Sequence, residues 1–183
     1  AGLDRLNVSL DTLEREKFNT LTRRDALPKV LETIDQALGL GLPLKVNCVL
    51  MRGTNEDEVL DFAAMTAARP LDVRFIEYMP LGDSQVLALA GGGDLEVGLL
   101  ENDEVIRRIE TRLGPMQPID RSREAGVGPA EVYGSPSLSG RLGFISAMSQ
   151  PFCEQCNRLR LTATGELRAC LFDGGELDLA PLL

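Results

Sequence analysis

Residues 44–50 read LKVNCVL, and the alternation in this short run decides the class of fold. On an extended strand Val46 and Cys48 share one face, while Lys45 and Asn47 share the other. Two similar runs flank it, residues 6–10 (LNVSL) upstream and residues 73–79 (VRFIEYM) downstream. In the first gap Leu27, Val30, Leu31, Ile34 and Leu38 recur at helical spacing and stop at Gly39 and Gly41, residues suited to a helix C-terminus. In the second gap Thr54 and Asp57 form a weak capping box ahead of Val59, Leu60, Phe62 and Ala63. Strands with a helix in each gap are βαβ units, and they predict an α/β fold with a parallel sheet. Three such strands alone would leave an unprotected edge, so they read as half of a barrel or larger sheet.

Beyond Pro80 the pattern changes. Gly91, Gly92 and Gly93 mark a turn, residues 103–113 (DEVIRRIETRL) an amphipathic helix, and residues 114–140 a long connection rich in Gly, Pro and Ser. Residues 141–147 (RLGFISA) are expected to form a strand leading into the cysteines. Residues 159–162 and 167–171, with Gly165 between them, suit a hairpin that presents Cys156 and Cys170 together. The expected division is residues 1–82 for the half-barrel and 83–183 for a C-terminal extension.

Composition narrows the chemistry. With 183 residues and 44% hydrophobic content the chain can bury a core, and no apolar run is long enough for a bilayer. The opening AGLDRLNVSLD lacks an initiator Met, a basic n-region and a signal-peptide h-region, and both ends read as cut from something longer. Histidine is absent, which removes Ser-His-Asp and Cys-His nucleophilic mechanisms and every mixed Cys/His zinc site. A formal net charge of −9 argues against a general nucleic-acid binder. Positive charge is instead local, at Arg158, Arg160 and Arg168, where an anionic small molecule could bind.

The four cysteines have unequal spacing, which favours reduced thiols and metal ligation over disulfides. Cys153 and Cys156 are two residues apart, and Cys170 follows after 13 more (170 − 156 − 1). Three thiolates leave one coordination position open for substrate, as an open iron–sulfur site requires. A structural zinc would need a fourth ligand, for which Asp173 is the candidate. Strand parity sends Cys48 under a helix, away from this set. The same parity places Asn7, Ser9 and Asp11 on one face, where polar groups near the C-terminal end of a parallel strand serve ligands. On residues 73–79 the alternation of Arg74, Ile76 and Tyr78 with Phe75, Glu77 and Met79 does not decide which face is which. Arg158 and Arg160 project to the side of Cys156, where guanidinium groups suit phosphate recognition.

Four blocks in order, AGLDRLNVSLD, LKVNCVLMRGTNEDE, PLDVRFIEYMPLG and GFISAMSQPFCEQCNRLRLTATGELRACLF, resemble molybdenum-cofactor biosynthesis protein A, the GTP 3′,8-cyclase family of the radical S-adenosylmethionine class. The resemblance implies an incomplete (βα)6 TIM-like barrel followed by a small α+β iron–sulfur domain. It implies that Cys153, Cys156 and Cys170 hold a 4Fe–4S cluster whose open iron meets the guanine of GTP. It assigns Lys45, Arg158, Leu159 and Arg160 to GTP, and Ser9 and Met79 to S-adenosylmethionine. A second 4Fe–4S cluster and S-adenosylmethionine belong to the complete enzyme, which makes 3′,8-cyclo-7,8-dihydro-GTP in the first step of molybdenum cofactor synthesis. An electron donor and a homodimer are further implied, with no nucleic acid and no membrane, in the cytoplasm or, for a eukaryote, the mitochondrial matrix. The CxxxCxxC motif of that second cluster does not occur here, so this chain alone is expected to be inactive. The alternatives are a zinc-stabilised binding module without catalysis and an electron-transfer module; an open iron gives the latter no benefit.

Overall fold

The computed structural model describes residues 2–80, 98–121, 128–156, 158–172 and 177–182. The Gly91–Gly93 turn, the Gly-rich segment at 82–98 except Gly98, and the candidate zinc ligand Asp173 lie outside the described residues. The three expected strands are present as β1 (Leu6–Ser9), β2 (Leu44–Arg52) and β3 (Asp72–Glu77), paired in parallel in that order. The crossovers are helical: α1 (Arg15–Thr22) and α2 (Leu27–Gly39) join β1 to β2, and α3 (Val59–Ala68) joins β2 to β3. The fold is mixed α/β around a parallel core, as the βαβ rhythm predicts.

Helix α2 ends where expected. Gly41 adopts φ 69°, and the N–H groups of Gly41 and Leu42 turn back to the carbonyls of Leu38 and Ala37. The Thr54–Asp57 capping box does not form. A 3-10 turn (Glu56–Glu58) intervenes, and Asn55 organises the corner instead. Its amide accepts the Met51 N–H at 2.8 Å and donates to the carbonyls of Asp11 and Val49.

Residues 98–145 extend the sheet on its far side. β4 (Gly98–Leu99) pairs antiparallel with β2, and α4 (Asn102–Leu113) packs Val105 and Ile109 into the core. β5 (Gln117–Pro118) and β6 (Glu131–Gly134) follow, and β7 (Arg141–Ile145) lies parallel to β3, giving the order β1-β2-β3-β7-β6-β5. The strand expected at 141–147 is thus a fourth parallel strand of the same sheet. A separate small sheet contains β8 (Arg160–Leu161), β9 (Glu166–Arg168) and β10 (Leu177–Asp178), with β8 and β9 forming the expected hairpin.

One face of the parallel sheet is apolar. Val46, Cys48, Leu50, Val73, Phe75, Leu142 and Phe144 pack beneath α2, α3 and α4, and Phe75 stacks on Phe144 with ring centroids 5.8 Å apart. Register partners on parallel strands share a face, so the opposite face carries polar rows. Asn7, Lys45, Asp72 and Arg141 form one row, and Ser9, Asn47, Arg74 and Gly143 the next. No helix among the described residues is long and apolar enough to cross a membrane.

The entry into β7 is tight. The Gly140 and Arg141 N–H groups bond the carbonyls of Thr66 and Leu71, and a Cβ on Gly140 would stand 2.0 Å from the Leu71 oxygen. Gly140→Ala is expected to lower stability by about 3 kcal/mol in urea unfolding, since backbone must give way. Gly39→Ala, where a Cβ meets nothing within 4 Å, should be neutral or stabilising by up to about 1 kcal/mol. Equal stability of the two variants would mean that the β3–β7 approach is looser than described.

Candidate functional site

The C-terminal ends of parallel strands are where α/β sheets usually bind ligands. Here Met79 follows β3 and Ala147 follows β7, and both line a cavity of about 340 Å³. The rest of its wall comes from the cysteine segment. Cys153–Gln155 forms a 3-10 turn, closed by the Cys156 N–H donating to the Cys153 carbonyl at 3.1 Å. Across the cavity the β8–β9 hairpin, turned at Gly165 with φ 89°, returns the chain to Cys170. The Phe172 N–H donates to Cys170 Sγ at 3.4 Å. Cys153, Cys156, Cys170, Arg158 and Arg160 all line this one cavity.

A second cavity of about 330 Å³ adjoins it, lined by Glu131, Ser146 and Gln150. Phe152, Cys156 and Arg158 border both. The Arg158 guanidinium lies over the Phe152 ring at 5.5 Å from its centroid, a cation–π contact that fixes the charge at the junction. Arg168 is committed elsewhere, to Glu166 at 2.9 Å.

Other residues singled out from the sequence lie apart from this cavity. Leu159 is 66% exposed and lines neither chamber. Ser9 is exposed at the end of β1. Lys45 sits near the start of β2 and lines a different cavity with Asp72, Gly140 and Arg141. Burial and the positive Arg74, then Arg121 and Arg141, push the Lys45 pKa down against the pull of Asp72. Arg74 is pushed down in the same way, by burial, Arg121 and Arg141, again with Asp72 opposing. Its stem crosses β7 at Gly143, where a Cβ would come within 3.1 Å of it. Asn47 Oδ1 and Arg74 Nε belong to register partners on the polar face and are buried without a hydrogen bond among the described residues. Unsatisfied buried groups cost about 1–3 kcal/mol each, and such costs gather at functional sites.

Cys48 is fully buried in the core, where burial, followed by the negative Asp11 and Glu58, holds its thiol pKa well above 9.0. It stays protonated and packs in the helix-covered core, as strand parity predicts. Among the described residues no three Cys, Asp or Glu side chains stand close enough to hold one metal ion. A zinc site draws its sulfurs to about 2.3 Å from one centre, whereas a cubane spreads its thiolates over separate irons. Three thiols line one cavity in a chain without histidine, so any metal group held there would be held through sulfur.

The sequence reading missed Glu77. It ends β3 fully buried, and its carboxylate accepts the N–H groups of Asn102 (3.1 Å), Met148 (2.8 Å) and Ser149 (2.8 Å) and the Ser149 hydroxyl.

The family model described as Molybdenum Cofactor Synthesis C matches residues 71–183. This chain belongs to that family. The Radical SAM superfamily model matches residues 1–66, which hold β1, β2 and the helices around them. The whole thiol-lined cavity falls within the Molybdenum Cofactor Synthesis C match. The chain is 48% identical to a GTP 3′,8-cyclase of Pelotomaculum thermopropionicum, over 100% of this chain and 54% of that protein. It is 42% identical to a GTP 3′,8-cyclase of Thermodesulfovibrio yellowstonii, over 100% of this chain and 54% of that protein. It is 43% identical to Molybdenum cofactor biosynthesis protein 1 of Homo sapiens, over 98% of this chain and 27% of that protein. The chain thus spans about half the length of these bacterial relatives.

The hydrogen bonds to Glu77 give a pH signature. Burial alone would raise its pKa, but the Ser149 hydroxyl and the N–H groups of Ser149, Met148 and Asn102 outweigh it and hold the carboxyl below its ordinary 4.5. A carboxyl lowered on folding contributes stability that is complete above the unfolded value and fades as pH falls through the folded one. Glu77→Gln should therefore cost about 3 kcal/mol at pH 7, and the gap to wild type should shrink below pH about 4.5. A gap independent of pH from 7 to 3 would show that the carboxylate charge is not what these donors hold.

Proposed function

We propose that the chain is the substrate-binding part of a GTP 3′,8-cyclase, a radical S-adenosylmethionine enzyme of molybdenum cofactor synthesis. The observation that carries this is the single cavity shared by three thiols and two arginines at the C-terminal edge of the sheet. In this proposal β1 to β3 are the second half of an incomplete (βα)6 barrel. Residues 83–183 are then the extension that adds β7 to its edge and carries the cluster.

Cys153, Cys156 and Cys170 would hold a 4Fe–4S cluster, leaving its fourth iron for an atom of the guanine ring. The chain's own side chains do the rest of the binding. Arg158, fixed on Phe152, and Arg160 present charge-assisted donors to an anionic nucleotide from the cavity wall. The polar face supplies Lys45 and Arg74, whose mutual repulsion a phosphate would relieve. Met79 brings the end of β3 against the thiols, where S-adenosylmethionine would contact it. Ser9 reaches the same face from β1, and Phe152 and Phe172 add apolar surface to the cavity wall. The reductive start of the reaction needs an electron donor and the second cluster of the complete enzyme.

Two experiments check this. After anaerobic reconstitution, Cys153→Ser should lose the labile iron and sulfide that wild type retains, and Cys48→Ser should keep them. Stoichiometric zinc without sulfide in the wild type would instead favour the binding-module alternative. In the full-length protein, Arg158→Ala and Arg160→Ala should each weaken GTP about 10–150-fold by titration, the loss of one charge-assisted bond. Unchanged affinity together with a lost cluster would make the arginines structural neighbours of the iron.

A further inference from the structure

The strand ladder does not hold the cavity together by itself. The last register pair between β3 and β7 is Ile76 with Ile145, and both cavity-lining ends, Met79 and Ala147, lie beyond it. What bridges them past the ladder is the Glu77 carboxylate. It stands two residues before Met79 and takes the N–H groups of Met148 and Ser149, directly after Ala147. Ser149 also gives its hydroxyl, and four residues later the chain enters the Cys153–Gln155 turn. The start of α4 joins the same knot: Asn102 donates its N–H to Glu77 and its side-chain amide to Ser146 at 3.0 Å. An apolar residue of similar volume could fill this space without these bonds, and burying a charge carries its own desolvation cost. What the carboxylate adds is a fixed distance, since four donors converge on its two oxygens.

We propose that Glu77 is a positioning residue that sets the separation between the Met79 wall and the Cys153–Cys156 turn of the thiol-lined cavity. The proposal rests on the assignment of that cavity to a radical substrate site. A hydrogen-atom transfer between two bound molecules is sensitive to that separation, and a displacement of about 1 Å can cost about 100-fold in rate. None of the four donors to Glu77 comes from Arg158 or Arg160, so its loss is expected to fall on rate more than on substrate affinity.

The test uses the full-length enzyme with both clusters reconstituted and rates normalised to iron. Glu77→Gln and Glu77→Asp should lower kcat about 10–100-fold while the KM for GTP stays within about threefold. Amide exchange at Met148 and Ser149 should accelerate about tenfold or more in the same variants. Ile34→Ala, a comparably destabilising change on the core-facing side of α2, should leave kcat per cluster at the wild-type value. Ser149→Ala removes one of the four bonds and should give a smaller drop in kcat in a protein that folds normally. A wild-type kcat in Glu77→Gln, or an equal loss in Ile34→Ala, would overturn the proposal. If the wild-type enzyme does not cyclise GTP, the proposed function fails. The exchange experiment still judges Glu77 in that case, because unchanged protection of Met148 and Ser149 would overturn its positioning role alone.

Discussion

The parallel pairing of β3 with β7 is the constraint on which the cavity depends. Parallel strands leave a sheet at the same end, so Met79 and the turn after Ile145 emerge side by side. An antiparallel β7 would send the cysteine segment out at the opposite edge, away from Met79. Closing the long connection between these strands costs entropy that grows only slowly with its length. Several local terms offset that cost. Leu142 and Phe144 are buried, Phe144 stacks on Phe75, and Arg141 makes a bidentate pair with Asp72 at 2.8 and 2.9 Å. The bare Gly140 lets the chain enter against the Leu71 carbonyl.

The two faces of this sheet assign different chemistry to the same residue types. Cys48 points into the helix-covered core and is held as a neutral thiol. Cys153 and Cys156 are exposed on a turn beyond the sheet, where their sulfurs are open to a ligand. The same holds for carboxylates. Asp72 stands on the polar face and pairs with Arg141, while Glu77 lies on the apolar face and needs four donors to be tolerated.

Local periodicity explains what was legible in the sequence. The run at 44–50 alternates cleanly, so the burial of Cys48 and the outward turn of Lys45 and Asn47 follow from parity alone. Helix α2 and the β8–β9 hairpin were equally readable, through spacing and a glycine at each turn. The capping box failed because Asn55 ties the nearby Val49 carbonyl to that of Asp11, 44 residues away, a tertiary arrangement that no local motif encodes. The run at 73–79 resisted parity because Glu77 shares the phase of Val73 and Phe75. That mismatch was itself a signal, since a carboxylate on an apolar phase requires partners. The partners, Met148 and Ser149, lie 71 and 72 residues away and become visible only when β7 is placed.

The position of Lys45 bears on how a nucleotide would lie across this surface. Its register partner is Asp72, at the opposite end of β3 from the cavity. From Asp72 to Met79 an extended chain covers roughly 20 Å at about 3.3 Å per residue. A ligand touching both Lys45 and the thiols must therefore be elongated and run along the strands, as a nucleoside triphosphate could with its base at the cluster. Arg74 stands one register row nearer the cavity, with a buried Nε that has no hydrogen-bond partner among the described residues. Its charge already disfavours protonation of Lys45, so a phosphate between the two would be bound partly by relieving that repulsion. Under the proposed function Lys45 and Arg74 would then act as a pair along the polar face, and Arg158 and Arg160 would serve the end nearest the thiols.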